Sequence, residues 1–247
     1  MKKHLLGTAL FFGVALAGGA QAAPIVINQA GWTAAGCVGA ASCTVNGVTI
    51  TALGNSAVVT GGDSVWQDPP LLSQSNWAGT AGLGINFMKY AGSPELEARN
   101  LEIQYAETML FQFGQPVILQ TLELVYLYTT ATSAGDPQEI ALIIGDQNGT
   151  PVQYALQVLD ATDFSWNGSG TVTRGPNGQA LWTLTNPFNG PITYLALTAP
   201  DAPVNGTDRS DYAFRSLTAI PVPEPASLAL LGMGLVGLGF AARRRVA

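Results

Sequence analysis

Between residues 23 and 221 the apolar positions recur every second residue rather than every 3.6, a period that predicts strands and not helices. Val152, Tyr154, Leu156 and Val158 alternate with Gln153, Ala155 and Gln157. Ile192, Tyr194 and Ala196 alternate with Thr193, Leu195 and Leu197, and Met109, Phe111 and Phe113 with Thr108, Leu110 and Gln112. The run from Val117 to Thr130 is apolar on both faces for much of its length, as a strand in the middle of a sandwich is. Further strands are expected at Val45–Leu53, Leu83–Tyr90, Glu139–Ile144, Ala180–Thr185 and Tyr212–Ile220. Asn-Gly pairs at 46–47, 148–149, 167–168, 177–178, 189–190 and 205–206 punctuate them, and Asn and Gly both tolerate the positive φ that tight hairpin turns require. About nine strands so spaced predict an all-β fold, an antiparallel β-sandwich of jelly-roll type. One helix start is visible, Ser93 as N-cap with Pro94 at the first helical position, leading into Glu95–Arg99. Trp66 and Trp77 lie in a Gly, Ser and Asn-rich segment without strand periodicity. No fixed-period repeat and no Pro or Ser-rich linker divides this body.

The two ends follow other rules. Lys2, Lys3 and His4 precede an apolar run from Leu5 to about Gly19, and Ala20-Gln21-Ala22 places small residues where a signal peptidase needs them. Residues 1–22 therefore read as a secretory signal, with the Sec translocon and signal peptidase as implied partners. At the other end Val222-Pro223-Glu224-Pro225 leads into an uncharged stretch, Ala226 to Ala242, followed by Arg243, Arg244 and Arg245. As a helix that stretch is roughly 25 Å long, the lower limit for crossing a bilayer core. The arginines would hold the C-terminus in the cytoplasm and leave the body outside. Pro223 and Pro225 keep the approach to the helix extended and open to a protease. The chain thus divides into a signal peptide (1–22), an exported domain (23–221) and a tail (222–247).

Val-Pro-Glu-Pro-Ala-Ser-Leu-Ala-Leu-Leu-Gly at 222–232, the glycine-rich apolar helix and the terminal arginine cluster together resemble the PEP-CTERM sorting signal of Gram-negative, exopolysaccharide-producing bacteria. The resemblance implies that Pro223, Glu224 and Pro225 form the motif read by an exosortase, an integral-membrane transpeptidase-like enzyme that processes the protein nearby. It also implies a transient inner-membrane intermediate, followed by the cell surface or extracellular matrix. A second, looser pattern is the acidic stretch Leu101–Glu107 leading into Thr108–Phe113, a turn at Gly114–Pro116 and a long second hairpin arm. It resembles the sandwich bodies of exosortase-sorted surface proteins and, distantly, carbohydrate-binding jelly rolls.

Composition narrows the chemistry. Charged residues are 11% of the chain. The body 23–221 holds Lys89, Arg99, Arg174, Arg209 and Arg215 against fifteen acidic residues. Such a surface repels polyanions, so nucleic acid is not an expected partner. The sole histidine, His4, lies in the signal peptide, which leaves the body without a Ser-His-Asp triad, a Cys-His pair or a histidine metal ligand. Cys37 and Cys43 are close enough to pair if the chain turns at Gly39, and in an exported protein a disulfide is the expected state. Carboxylates are the remaining acid-base groups: Glu95 with Glu97, Glu102 with Glu107, Asp160 with Asp163. Each pair reads equally well as a solvated strand edge or turn, so no catalytic residue is assigned.

Two features remain as candidate ligand positions. Asp201, Asn205, Asp208 and Asp211 fall in one polar loop that could offer oxygen ligands to calcium, and Asp146 with Asn148 in another, although both also read as turn formers. Trp166, in Asp163-Phe-Ser-Trp166-Asn-Gly168, is either a lid over the core or a stacking platform for a sugar. The expectation is a non-enzymatic, exosortase-processed surface or matrix protein associated with exopolysaccharide or biofilm. The alternatives are a secreted carbohydrate-active enzyme and a purely structural matrix subunit.

Overall fold

The computed structural model describes residues 22–54, 64–77, 80–90, 107–127, 139–147, 149–159, 163–175, 180–200, 212–223 and 234, with backbone only at 64–69, 77 and 87–90. Contacts divide the chain into a body, Ala23–Val222, and its two ends, Met1–Ala22 and Pro223–Ala247. Apart from Ala22 and Gly234, the signal peptide, the segment 93–99 expected to be helical, the uncharged stretch 226–242 and the arginines after it lie outside the described residues. No helix among the described residues is long and apolar enough to cross a membrane.

The body is built of antiparallel β-structure. Its strands are β1 (Ile25–Ile27), β2 (Ser42–Val45), β3 (Val48–Gly54), β4 (Ser64–Trp77), β5 (Thr80–Tyr90), β6 (Glu107–Val125) and β7 (Ile140–Gln147). They continue as β8 (Thr150–Val158), β9 (Phe164–Trp166), β10 (Thr171–Arg174), β11 (Trp182–Thr185), β12 (Ile192–Thr198) and β13 (Ala213–Pro221). One short helix, α1 (Gln29–Ala34), follows β1; Asn28 caps it by accepting from the Gly31 N–H at 3.1 Å, and Trp32 is its buried residue.

Strand β6 organises the rest. Up to Phe113 its neighbours are β3 and β12; from Ile118 onward they are β13 and β11. The change falls at Gly114-Gln115-Pro116, all exposed, where proline has no N–H to donate to a ladder. Beyond β12 the first set continues through β7 and β8 to β9; beyond β13 the second continues through β5 to β4, while β10 joins β11. Along a straight strand Phe111 and Leu124 would be about 40 Å apart. Yet Phe214, the register partner of Leu124, has its ring centroid 4.8 Å from that of Phe111. The sheet therefore turns back on itself at the bend, and Phe111, Ile50, Leu195, Leu122, Leu217 and Phe214 fall in one buried cluster.

Several sequence expectations are corrected by this arrangement. Thr108–Phe113 and the run from Val117 are one bent strand, not two arms of a hairpin, because each half finds its partners elsewhere. Val45–Leu53 is not one strand: Asn46 and Gly47, at φ 50° and 80°, make a two-residue turn between β2 and β3. The segment of Trp66 and Trp77 is strand β4, paired along its length with β5 across an irregularity between Trp66 and Leu71. Its polar residues hid the strand because much of it carries Ser, Gln and Asn on a ladder that backbone bonds sustain. In β12 a register shift between Ile192 and Tyr194 changes which residues face inward. Ile192, Leu195 and Leu197 are fully buried, whereas Tyr194 is only partly so.

Cys37 and Cys43 form a disulfide with their Cα atoms 5.1 Å apart. Gly39, at φ 83°, turns the enclosed loop. That loop bonds the outer edge of β4: Gly39 N–H donates to Leu72 O and Leu72 N–H to Ala40 O, both at 2.8 Å.

Candidate functional site

Among the described residues a concavity lies between the start of α1, the start of β5 and the outer face of β6 and β13. It has a volume of about 500 Å³ and is lined by Asn28, Gln29, Ala30, Thr80, Ala81, Glu123, Arg215 and Ser216. Along β6, Leu122 and Leu124 point into the core, so Glu123 between them points out. Opposite it β13 carries a bulge. Phe214 pairs with Leu124 and Ser216 with Glu123, which leaves Arg215 as the extra residue.

In a regular strand Arg215 and Ser216 would point to opposite faces; the bulge lets both reach the same carboxylate. Ser216 Oγ donates to Glu123 Oε2 at 2.7 Å, and Arg215 Nε stands 3.6 Å from the same oxygen. The side chains of Arg215 and Glu123 are 38% and 30% exposed, so the pair is open to a solute. Thr80, one of the lining residues, is held by Tyr126, whose hydroxyl donates to the carbonyls of Ser75 and Thr80. Tyr126 sits at φ 73°, a conformation that costs a bulky residue free energy, and its buried hydroxyl bonds help hold it there. Periodicity did not single out Glu123, Arg215 and Ser216, because a bulge breaks the alternation that periodicity reads.

A second group lies at the end of the fold where β3, β7, β8 and β12 meet the start of β6. Glu107 and Glu139 are buried there, and the Tyr212 hydroxyl donates to Thr198 O at 2.9 Å and Leu142 O at 3.3 Å. Burial pushes the Tyr212 hydroxyl well above its ordinary pKa, against the opposing effect of the Thr198 bond, so it stays a neutral donor. Among the described residues no group of three or more His, Cys, Asp or Glu could hold a metal.

The sequence candidates fall as follows. Trp166 stands on the short strand β9 rather than in a loop, partly buried. Its indole N–H donates to Ser169 O at 2.8 Å, its ring meets Tyr154 edge-on with centroids 5.7 Å apart, and Gly168 lies directly against it. Asp146, on β7, caps the register shift of β12: its carboxylate accepts from the backbone N–H of Thr193 at 2.6 Å and of Tyr194 at 3.1 Å, and from the Thr193 hydroxyl. Asp201, Asn205, Asp208 and Asp211 lie outside the described residues, as do Asn148, Glu224, Pro225, Arg243, Arg244 and Arg245. Pro223 is described and exposed, directly after Val222, whose N–H donates to Pro116 O at 2.9 Å.

Residues 221–245 match the family model of the PEP-CTERM protein-sorting motif. A comparison with curated proteins found no match to the chain.

Proposed function

We propose that this chain, whose tail carries a PEP-CTERM protein-sorting motif, is an exosortase-processed protein of the cell surface or extracellular matrix that associates non-catalytically with exopolysaccharide. The sorting motif carries the reading, since it marks an exported protein whose processing partner is an exosortase. On this reading the Sec translocon exports the chain, signal peptidase removes residues 1–22, and the tail holds an inner-membrane intermediate until it is cut. The body is a β-sandwich whose two layers share β6, a reading supported by the Phe111–Phe214 contact across the bend. It acts as a binding and scaffolding module. Its histidine-free composition and excess of acids favour neutral hydrogen bonding to polysaccharide over charge pairing or imidazole catalysis.

The test is fractionation of producing cells, followed by sedimentation of the released protein with their exopolysaccharide, with and without a calcium chelator. Tail-trimmed protein in the matrix fraction, sedimenting with the polymer and leaving its chain length unchanged, is the expected result. Full-length protein confined to the inner membrane, or shortening of the polymer, overturns it.

A further inference from the structure

We infer that the cleft around Glu123 and Arg215 is a binding site for a neutral saccharide unit, an inference that rests on the polysaccharide-associating reading above and gives it a location. The chemistry follows from what the bulge leaves unused. Ser216 and Arg215 Nε both address Glu123 Oε2. Among the described residues, Glu123 Oε1 and the two terminal nitrogens of Arg215 make no bond. A carboxylate is an acceptor only and a guanidinium a donor only. Set side by side, they match a ligand group that both donates and accepts at neighbouring atoms, as adjacent hydroxyls of a sugar ring do.

Charge sets the class. Glu123 and Arg215 cancel, and the surrounding body is acidic, so an anionic sugar gains nothing here and is repelled at longer range. A cation would find the carboxylate already shared with a guanidinium. Gln29 at the rim adds an amide that donates and accepts, Ala30 leaves room for a ring, and about 500 Å³ accommodates one or two sugar residues. The site is also built on rigid parts. Glu123 stands in β6 between two neighbouring strands, and Arg215 and Ser216 stand on the strand bonded to it. Little ordering is therefore needed when the ligand arrives.

The experiment uses the exported protein recovered from cells that make it. Saturation-transfer NMR is run with maltose, cellobiose and lactose, and with a uronic-acid disaccharide, alongside sedimentation with the cells' exopolysaccharide. Two variants are compared: Glu123→Gln, which removes the charge-assisted acceptor, and Ala30→Phe, which adds bulk to the cleft from α1 while leaving Glu123, Arg215 and Ser216 themselves unchanged. At least one neutral disaccharide is expected to bind, and each variant to weaken it ten-fold or more. Wild-type levels of disaccharide binding in the correctly folded Ala30→Phe variant overturn the site while leaving the polysaccharide reading standing if sedimentation persists. Preference for the uronic disaccharide overturns the neutral-sugar assignment. Loss of both disaccharide binding and sedimentation in the wild type overturns site and reading together.

Discussion

The carboxylate of Asp146, near the end of β7, takes the backbone N–H of Thr193 at 2.6 Å, so a side chain from one strand satisfies a donor that a register shift leaves unpaired in the next. The register shift leaves Thr193 without a partner on β6, and its donor would otherwise turn to water. Desolvation raises the Asp146 pKa, but the hydroxyl and backbone bonds from Thr193 and the backbone bond from Tyr194 together outweigh it. The folded carboxyl lies below its ordinary value of 3.8.

The pH dependence follows from that direction. A depressed folded pKa contributes stability that is fully present above the unfolded value and is lost as pH falls through the folded one. Asp146→Ala should lower stability by about 1 kcal/mol at neutral pH, the low end for bonds to a charged acceptor because the site is partly exposed. Thermal melts of both proteins from pH 7 to pH 2 check this: the gap should hold down to about pH 4 and narrow only below it.

Gly82 on β5 has no room for a side chain. A Cβ there would stand 2.5 Å from the Cβ of Ala213 and 2.9 Å from Val125 Cγ2, with the Tyr126 ring at 3.1 Å. Two of these contacts come from the backbone-anchored atoms of buried strands, so relief requires β5 and β13 to separate. Gly82→Ala should cost about 1–3 kcal/mol despite the usual gain from replacing a strand glycine. Denaturant unfolding measures it, and an unchanged midpoint would contradict the packing described around Tyr126.

The strand content of the body could be read from the chain because alternation survives wherever a strand is regular and one face is buried. Val152–Val158 and Met109–Phe113 are such cases, and the Asn46–Gly47 turn follows from residues able to adopt positive φ. What escaped reading were departures from regularity. The bend at Gly114–Pro116 looks like a hairpin turn locally, and only the partners of β6 distinguish the two. The register shift at Thr193, opposite the bend of β6, and the one-residue bulge at Arg215 break the alternation, and with it the prediction of which side chains meet Asp146 and Glu123. The sorting tail was legible for the opposite reason: its information lies in consecutive residues and needs no fold.

The Cys37–Cys43 bridge closes a short loop, so the chain-entropy contribution is only about 2 kcal/mol. Its local effect is larger than its global one, because Gly39 and Ala40 within the loop bond Leu72 on the edge of β4. Reduction should leave the fold in place, speed exchange of the Leu72 amide at least ten-fold and leave β6 amides protected. Hydrogen exchange with and without reductant reads both; equal protection of Leu72 in the two states would show that the loop holds β4 without its covalent tie.

The residues that match the sorting motif, 221–245, start at the last residue of β13, Pro221. Val222 donates its N–H to Pro116 O, and Pro223, exposed and without an N–H of its own, is the next residue. Pro223, Glu224 and Pro225 come after Pro221, the last residue of β13, so replacing them changes no residue of that strand. Replacing Pro223, Glu224 and Pro225 by alanine should therefore leave export and the Cys37–Cys43 bridge intact while blocking removal of the tail. Intact-mass measurement of released and membrane fractions decides it. Wild-type protein should be recovered from the surface without residues beyond the motif, and the triple variant should accumulate uncut with its disulfide formed. Recovery of the wild type with its tail still attached at the surface would mean that the segment serves as a permanent anchor.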